Sequence, residues 1–377
     1  MERRDFGRLV AVSSIGALAA GCTKTPETAV QPAIPASPKK KALMHVGCQS
    51  GGTSKESLEF KARHGVFHID GGAPATIKGV GWDLADSLKK KEACEKYGIS
   101  LEAYHLPLGS SGIERAEYPN IMLGKSPDRD REIAILQQMI EVAGKTGVRA
   151  LLYNATILPV LRTGRTIDPQ RGNAEYSTWD YQEAVKKNEP KTIAGDVSID
   201  QMYERITYLL DRLIPVAEQY KVQLGNHIAD PPTHEGFRGI TRWNSPDVFE
   251  GIKRFSGLSK SPYHGFSLCI GSVAEGLKDP KTEIHPIIRY LGERKQIFNV
   301  HLRNIKGGWD HFTEVYPDNG DMDFYEVIKT FRDVEYPYML MPDHVPVHSD
   351  PASGLQAFAF GYGYIKAMIQ AVNAESA

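Results

Sequence analysis

The sequence predicts an α/β chain built as a single-domain (β/α)8 TIM barrel over residues 42–377, behind a signal segment at 1–22 and a tether at 23–41. Three observations lead to that class. Short apolar runs alternate with amphipathic stretches eight times from Ala42 onward, the layout of a barrel of strand and helix units. Residues with metal-ligand chemistry close the last four runs, as expected where strand ends converge on one face. No dinucleotide loop follows the first run, because Gly51-Gly52 lacks the G-x-G-x-x-G spacing of a doubly wound sheet.

The elements follow in order. Leu43-Met44-His45-Val46-Gly47 is the first strand, Lys55 to His64 a helix, and Val66-Phe67-His68-Ile69 the second strand. Trp82 to Tyr97 is helical by period with Gly98 as its stop, and Ser100 to Leu106 is the third strand. Asp128 to Lys145 is the clearest amphipathic helix of the first half, followed by the strand Val148 to Tyr153. A polar insertion runs from about Arg162 to Ile193, and Ile199 to Tyr220 then forms a long helix. Four further strands end in His227, Cys269, His301 and Asp343, with helices near Pro246 to Phe255, His285 to Leu291, Phe324 to Val334 and Phe358 to Val372.

Composition narrows the partners. With 377 residues, 41% hydrophobic, the chain can bury a large core, and a net charge of -1 offers no basic surface for nucleic acid or anionic membranes. A small molecule is the expected partner, and a homo-oligomer is compatible with the sequence. Arg3-Arg4, the apolar stretch from Leu9 to Ala20 and Gly21-Cys22 have the layout of a twin-arginine export signal with a lipoprotein-like cleavage box, which predicts a periplasmic or membrane-anchored protein held only through a lipid on Cys22. Signal cleavage without lipidation and a retained anchor are the alternatives. The domain's cysteines are Cys48, Cys94 and Cys269, an odd number that spells no disulfide framework.

Two imidazoles, a thiolate and a carboxylate from His227, Cys269, His301 and Asp343 suit a divalent transition metal. His344, beside Asp343, is the candidate general acid or base, since imidazole titrates near neutrality. Arg303 and Asn304, just past His301, are placed to bind a substrate oxygen or support the ligands. Glu314 offers a second carboxylate, whereas Asp318 reads as a solvated loop residue. Arg162 and Arg165 either clamp a substrate carboxylate or form salt bridges within the insertion. Tyr153 and Asn154 end the fourth strand and are expected at the mouth, Asp230-Pro231-Pro232 forms a rigid turn over it, and His105 is either structural or functional.

Taken together, these residues resemble the mannonate dehydratase family of xylose-isomerase-like barrels. The similarity rests on His227-Ile228-Ala229-Asp230-Pro231-Pro232, Gly265 to Ser272, Val300-His301-Leu302-Arg303-Asn304, Phe312 with Glu314, and Pro342-Asp343-His344, with Asn120 to Gly124, Asp128 to Glu132, Tyr153-Asn154 and Arg162-Thr163 as landmarks of the first half. It implies a divalent ion on His227, Cys269, His301 and Asp343, manganese or iron ahead of zinc or cobalt. It also implies loss of water from D-mannonate to give 2-keto-3-deoxy-D-gluconate through an enediolate, with His344 in an acid/base role. The chain departs from the family pattern at Ile228-Ala229, where Pro-Asp is common, and at Met341, where Arg is common; the family's Tyr after the Pro-Asp-His motif has no match nearer than Tyr362 and Tyr364. Alternatives are a metal-dependent sugar isomerase, epimerase or keto-sugar lyase, and a non-catalytic sugar-binding lipoprotein.

Overall fold

Strands of a parallel barrel are covered on both faces, so they need continuous apolar runs rather than alternation. In the computed structural model, which describes residues 40–375, the runs become eight strands. These are β1 (His45–Val46, continued by Cys48–Gly51), β2 (His68–Gly71), β3 (Ser100–His105), β4 (Ala150–Tyr153), β5 (Gln223–His227), β6 (His264–Cys269), β7 (Ile297–His301) and β8 (Met339–Met341). Every position of β6 and β7 is buried. The expected signal, tether and Cys22 features lie outside the described residues, among which no helix is long and apolar enough to cross a membrane.

The ring closes through β1. Its first half pairs with β8 and its second with β2, so the strand changes partners at Gly47. A side chain would not fit there, because a Cβ on Gly47 would fall 2.7 Å from Cβ of Met339 in β8.

Outside the strands lie α1 (Lys55–Arg63), α2 (Leu84–Glu95), α3 (Asp128–Thr146), α4 (Ile199–Tyr220), α5 (Val248–Ser256), α6 (Pro280–Glu293), α7 (Phe324–Asp333) and α8 (Ser353–Ala374). Side chains placed at their first turns start them. Ser198 and Gln201 form a capping box on α4, and Asp247 accepts from two backbone N–H groups at the start of α5. The predicted ends of α6 and α8 fall short because apolar period marks a buried face, whereas these helices begin with an exposed turn before it.

One layer has no counterpart in the predicted elements. The polar insertion folds into two strands, Gly164–Asp168 and Ala174–Asp180, which join an antiparallel hairpin of Asn304–Gly308 and His311–Val315 in a four-stranded side sheet. The join is at Thr313↔Thr178, Phe312↔Trp179 and His311↔Asp180.

A buried histidine makes the core pH-sensitive. His264 bonds to the carbonyl of Phe255 at 2.9 Å while its Nδ1 has no partner. Burial pushes its pKa below the ordinary value, and the bond to Phe255 offsets this only in part. The folded chain therefore keeps a neutral ring that the unfolded chain protonates, so this contribution is full above about pH 6.5 and shrinks as pH falls below it. Urea midpoints should drop from about pH 7.5 to about pH 5.5, and drop less in His264→Gln.

Candidate metal centre and active site

Parallel pairing brings the carboxyl ends of β5 to β8 side by side. There His227, Cys269 and His301 place one ligand atom each within 4.8 Å of one another. Nε2 of His227 stands 3.2 Å from Nδ1 of His301. Asp343, two residues past β8, completes the group, with Oδ2 at 3.4 Å from Sγ of Cys269 and Oδ1 at 3.6 Å from Nδ1 of His301.

The donor set fits a divalent metal. Nδ1 of His227 faces the carbonyl of Ile228 at 2.6 Å, which fixes a proton on that nitrogen and leaves Nε2 with a free lone pair. Nε2 of His301 is buried without any hydrogen-bond partner. The backbone N–H of Ser272 points at Sγ of Cys269 from 3.4 Å and fixes its direction. Burial alone would raise the Asp343 carboxyl, but His344, His301 and Arg303 hold it well below the usual carboxylate range.

Next to these ligands lies a buried network of charge centred on Arg303, whose side chain has no solvent contact. One of its terminal nitrogens reaches Asp230 at 2.8 Å, Ser272 at 2.7 Å and Glu275 at 2.9 Å; the other reaches Glu314 at 2.5 Å and Nδ1 of His344 at 2.6 Å. Gly271 makes room for it, since a Cβ there would lie 2.9 Å from Cβ of Arg303. Arg162 forms the second arm, bonding to Asp230 at 2.6 Å, to Glu275 at 3.3 Å and also to Glu314.

Nδ1 of His344 also lies 2.7 Å from Glu314. A protonated Nδ1 donates to Glu314 and a bare one accepts from Arg303, so the network accommodates both states of the ring. Burial lowers the His344 pKa, but Asp343 and Glu314 raise it further, to about 9. Glu275 is pushed up by burial despite its two arginines. His344, Arg162, Arg165 and Glu314 line a cavity of about 340 Å³.

The other candidates divide. Arg165 pairs with Glu175 at 2.8 Å within the insertion and also borders that cavity. Asn154 is half-buried next to the mouth strands. Tyr153, expected at the mouth, is 1% exposed in the main core, because β4 turns Ala150 and Leu152 to one side and Leu151 and Tyr153 to the other. Asn304, expected to bind substrate, instead pins the backbone: its amide donates to the carbonyls of Pro317 and Met322, and its oxygen accepts from Ile305 and Met322. Asp318 pairs with Arg171 on the surface. The hydroxyl of Tyr362 is spent on Sγ of Cys48 at 2.9 Å.

Residues to which the sequence assigns no definite chemistry complete the mouth. Asp230 belongs to the expected turn, yet its carboxylate joins both arginines and Ser272; Glu275 follows the short helix Ile270–Ala274. On the opposite wall, His105 at the end of β3 bonds to Asp70 of β2 at 2.7 Å, and Asp70 raises a histidine that burial would lower. An acidic residue one position before the end of a strand was the available signal for Asp70.

Fold and site define a xylose-isomerase-like (β/α)8 barrel with a group of candidate metal ligands at its mouth. The structure superposes on mannonate dehydratase from Streptococcus suis with a TM-score of 0.71 at 24% identity, covering 87% of this chain and 95% of that one. A D-psicose 3-epimerase shares the fold alone, with a TM-score of 0.54 at 13% identity. In sequence, the mannonate dehydratase of Thermotoga neapolitana is 29% identical over 331 residues, 78% of this chain and 87% of that protein, and that of Streptococcus pneumoniae is 26% identical over 343 residues. Residues 178–376 match the family model for D-mannonate dehydratase, UxuA. The chain belongs to the mannonate dehydratase family, metal-dependent hydro-lyases that act on a small sugar acid.

Removing the central cation isolates its role. Arg303→Met should destabilise the fold by about 3–5 kcal/mol, because three buried carboxylates lose a shared partner. Urea denaturation measures the loss, and adding Glu275→Gln should recover part of it.

Proposed function

We propose that this chain dehydrates D-mannonate, or a sugar acid of the same configuration beside the carboxylate, to the 2-keto-3-deoxy acid. The observation that carries the reading is the position of His344. It stands between the ligand group of His227, Cys269, His301 and Asp343 and the cavity lined by Arg162, Arg165 and Glu314.

A divalent ion on those four ligands, manganese or iron by family resemblance, would polarise a substrate oxygen and favour negative charge beside the carboxylate. The remaining work falls to side chains. The proton next to the carboxylate is taken up on Nε2 of the neutral form of His344, whose Nδ1–H donates to Glu314; with a pKa raised to about 9 this base form is the minor one at about pH 7 and grows as pH rises. The hydroxyl on the next carbon leaves as water after receiving a proton, and the enol so formed becomes the ketone by protonation at that carbon. Arg165, exposed at the cavity rim, supplies a positive charge for the substrate carboxylate. Arg162 and Arg303 are positioning residues, their donors already bonded to protein carboxylates.

The twin-arginine pattern supports export, with the folded, metal-loaded chain tethered through a lipid on Cys22. Replacing Arg3-Arg4 with lysines should then leave the protein in the cytoplasm, and unchanged export would remove that part.

Metal-reconstituted protein incubated with D-mannonate should release 2-keto-3-deoxygluconate. Absence of product would exclude this substrate, and deuterium uptake from solvent without water loss would turn the reading toward isomerisation or epimerisation. His344→Gln should keep its metal and lose activity by about 10²–10⁴-fold. Cys269→Ala or His301→Ala should instead lose the metal by elemental analysis, and with it the Tm increment that bound metal confers.

A further inference from the structure

The opposite end of the barrel holds a second convergence of ligand atoms. His45 opens β1 and His68 opens β2, while Glu102 lies in β3. The register between β2 and β3 pairs Ile69 with Leu101 and Asp70 with Ala103, so Glu102 is an extra, unpaired residue. Such a bulge re-aims a side chain that regular pairing would direct elsewhere. One carboxylate oxygen of Glu102 meets both histidines, at 3.1 Å from Nε2 of His45 and 2.5 Å from Nδ1 of His68. The imidazole rings lie against each other, tilted by 32° with centroids 3.4 Å apart.

The rest of the carboxylate is fixed from behind. Arg149 holds the second oxygen through two bonds of 2.9 and 2.8 Å, and is itself anchored by Gln223, the carbonyl of Phe298 and the ring of Tyr338. Glu102 is thus an oriented carboxylate with one oxygen left for the two imidazoles. The three ligand atoms lie within 4.8 Å of one another, and the histidines remain 27% and 35% exposed, open to water for the remaining coordination positions. Without an ion, each ring in its neutral form donates one N–H to this oxygen, and the same convergence presents two nitrogens and one oxygen to a metal. A single dication satisfies all three at once.

We propose that His45, His68 and Glu102 form a second divalent transition-metal site on the barrel floor, with a two-nitrogen, one-oxygen ligand set that takes zinc or cobalt without a thiolate. Bound there, the ion ties together the first three strands, including the half of β1 that pairs with β8.

The test is stoichiometry on the full chain. After chelation and dialysis against Zn²⁺, elemental analysis should find two ions per wild-type chain. His45→Ala/His68→Ala should retain one, and His227→Ala/His301→Ala should retain the other. One ion in the wild type, lost altogether in the His227→Ala/His301→Ala variant, overturns the floor site and leaves the mouth site standing. Anomalous diffraction at the zinc edge from wild-type crystals avoids any folding defect in the variants: a peak beside Glu102 supports the site, and a featureless map there at full zinc occupancy of the mouth overturns it.

Discussion

A guanidinium without solvent contact has to be matched by negative charge, and the mouth of this barrel is arranged around that requirement. Arg303 leaves the end of β7 and collects Asp230 from the loop after β5, Glu275 from the loop after β6 and Glu314 from the side sheet. Desolvating so many charges is costly, and the arrangement is stable only because each has several partners. Gly271 and Ser272 serve the same centre, one by leaving space and the other by offering a hydroxyl. His344 inherits its orientation from this network rather than from its own strand.

The mouth is consequently two-sided in its chemistry. The half formed by β5 to β8 carries the ligand group and Arg303, whereas the half formed by β2 and β3 presents the Asp70–His105 pair. Asp343 lies close enough to His105 to raise it, so the two halves share one electrostatic field. Both walls of the mouth thus present a titratable group.

Much of this was legible in the sequence because period and strand position carry it. Parallel strands buried on two faces leave uninterrupted apolar runs, and a ligand at the end of each run reports convergence without any knowledge of the loops. What escaped depends on facing and on distant pairing. Tyr153 ends its strand as Asn154 does, yet parity sends it into the core. Asn304 has the polarity of a substrate ligand, but its amide is consumed by the backbone of a loop more than ten residues on. The side sheet joins two segments far apart in sequence, each too polar to announce itself as a strand. Nor does any local pattern show that Asp230 faces two arginines; only the assembled loops bring them together.

The pairing of Thr178 with Thr313 also sets an order of assembly. Arg162 and Glu314 cannot meet until the chain has been made past the hairpin at 304–315, when seven of the eight barrel strands are already available to pair. Closing so long a loop is entropically slow, so local strand and helix units form ahead of it. During synthesis the scaffold precedes its own chemistry: a barrel wall can stand with Asp230 and Glu275 in place while its mouth still lacks Glu314 and His344.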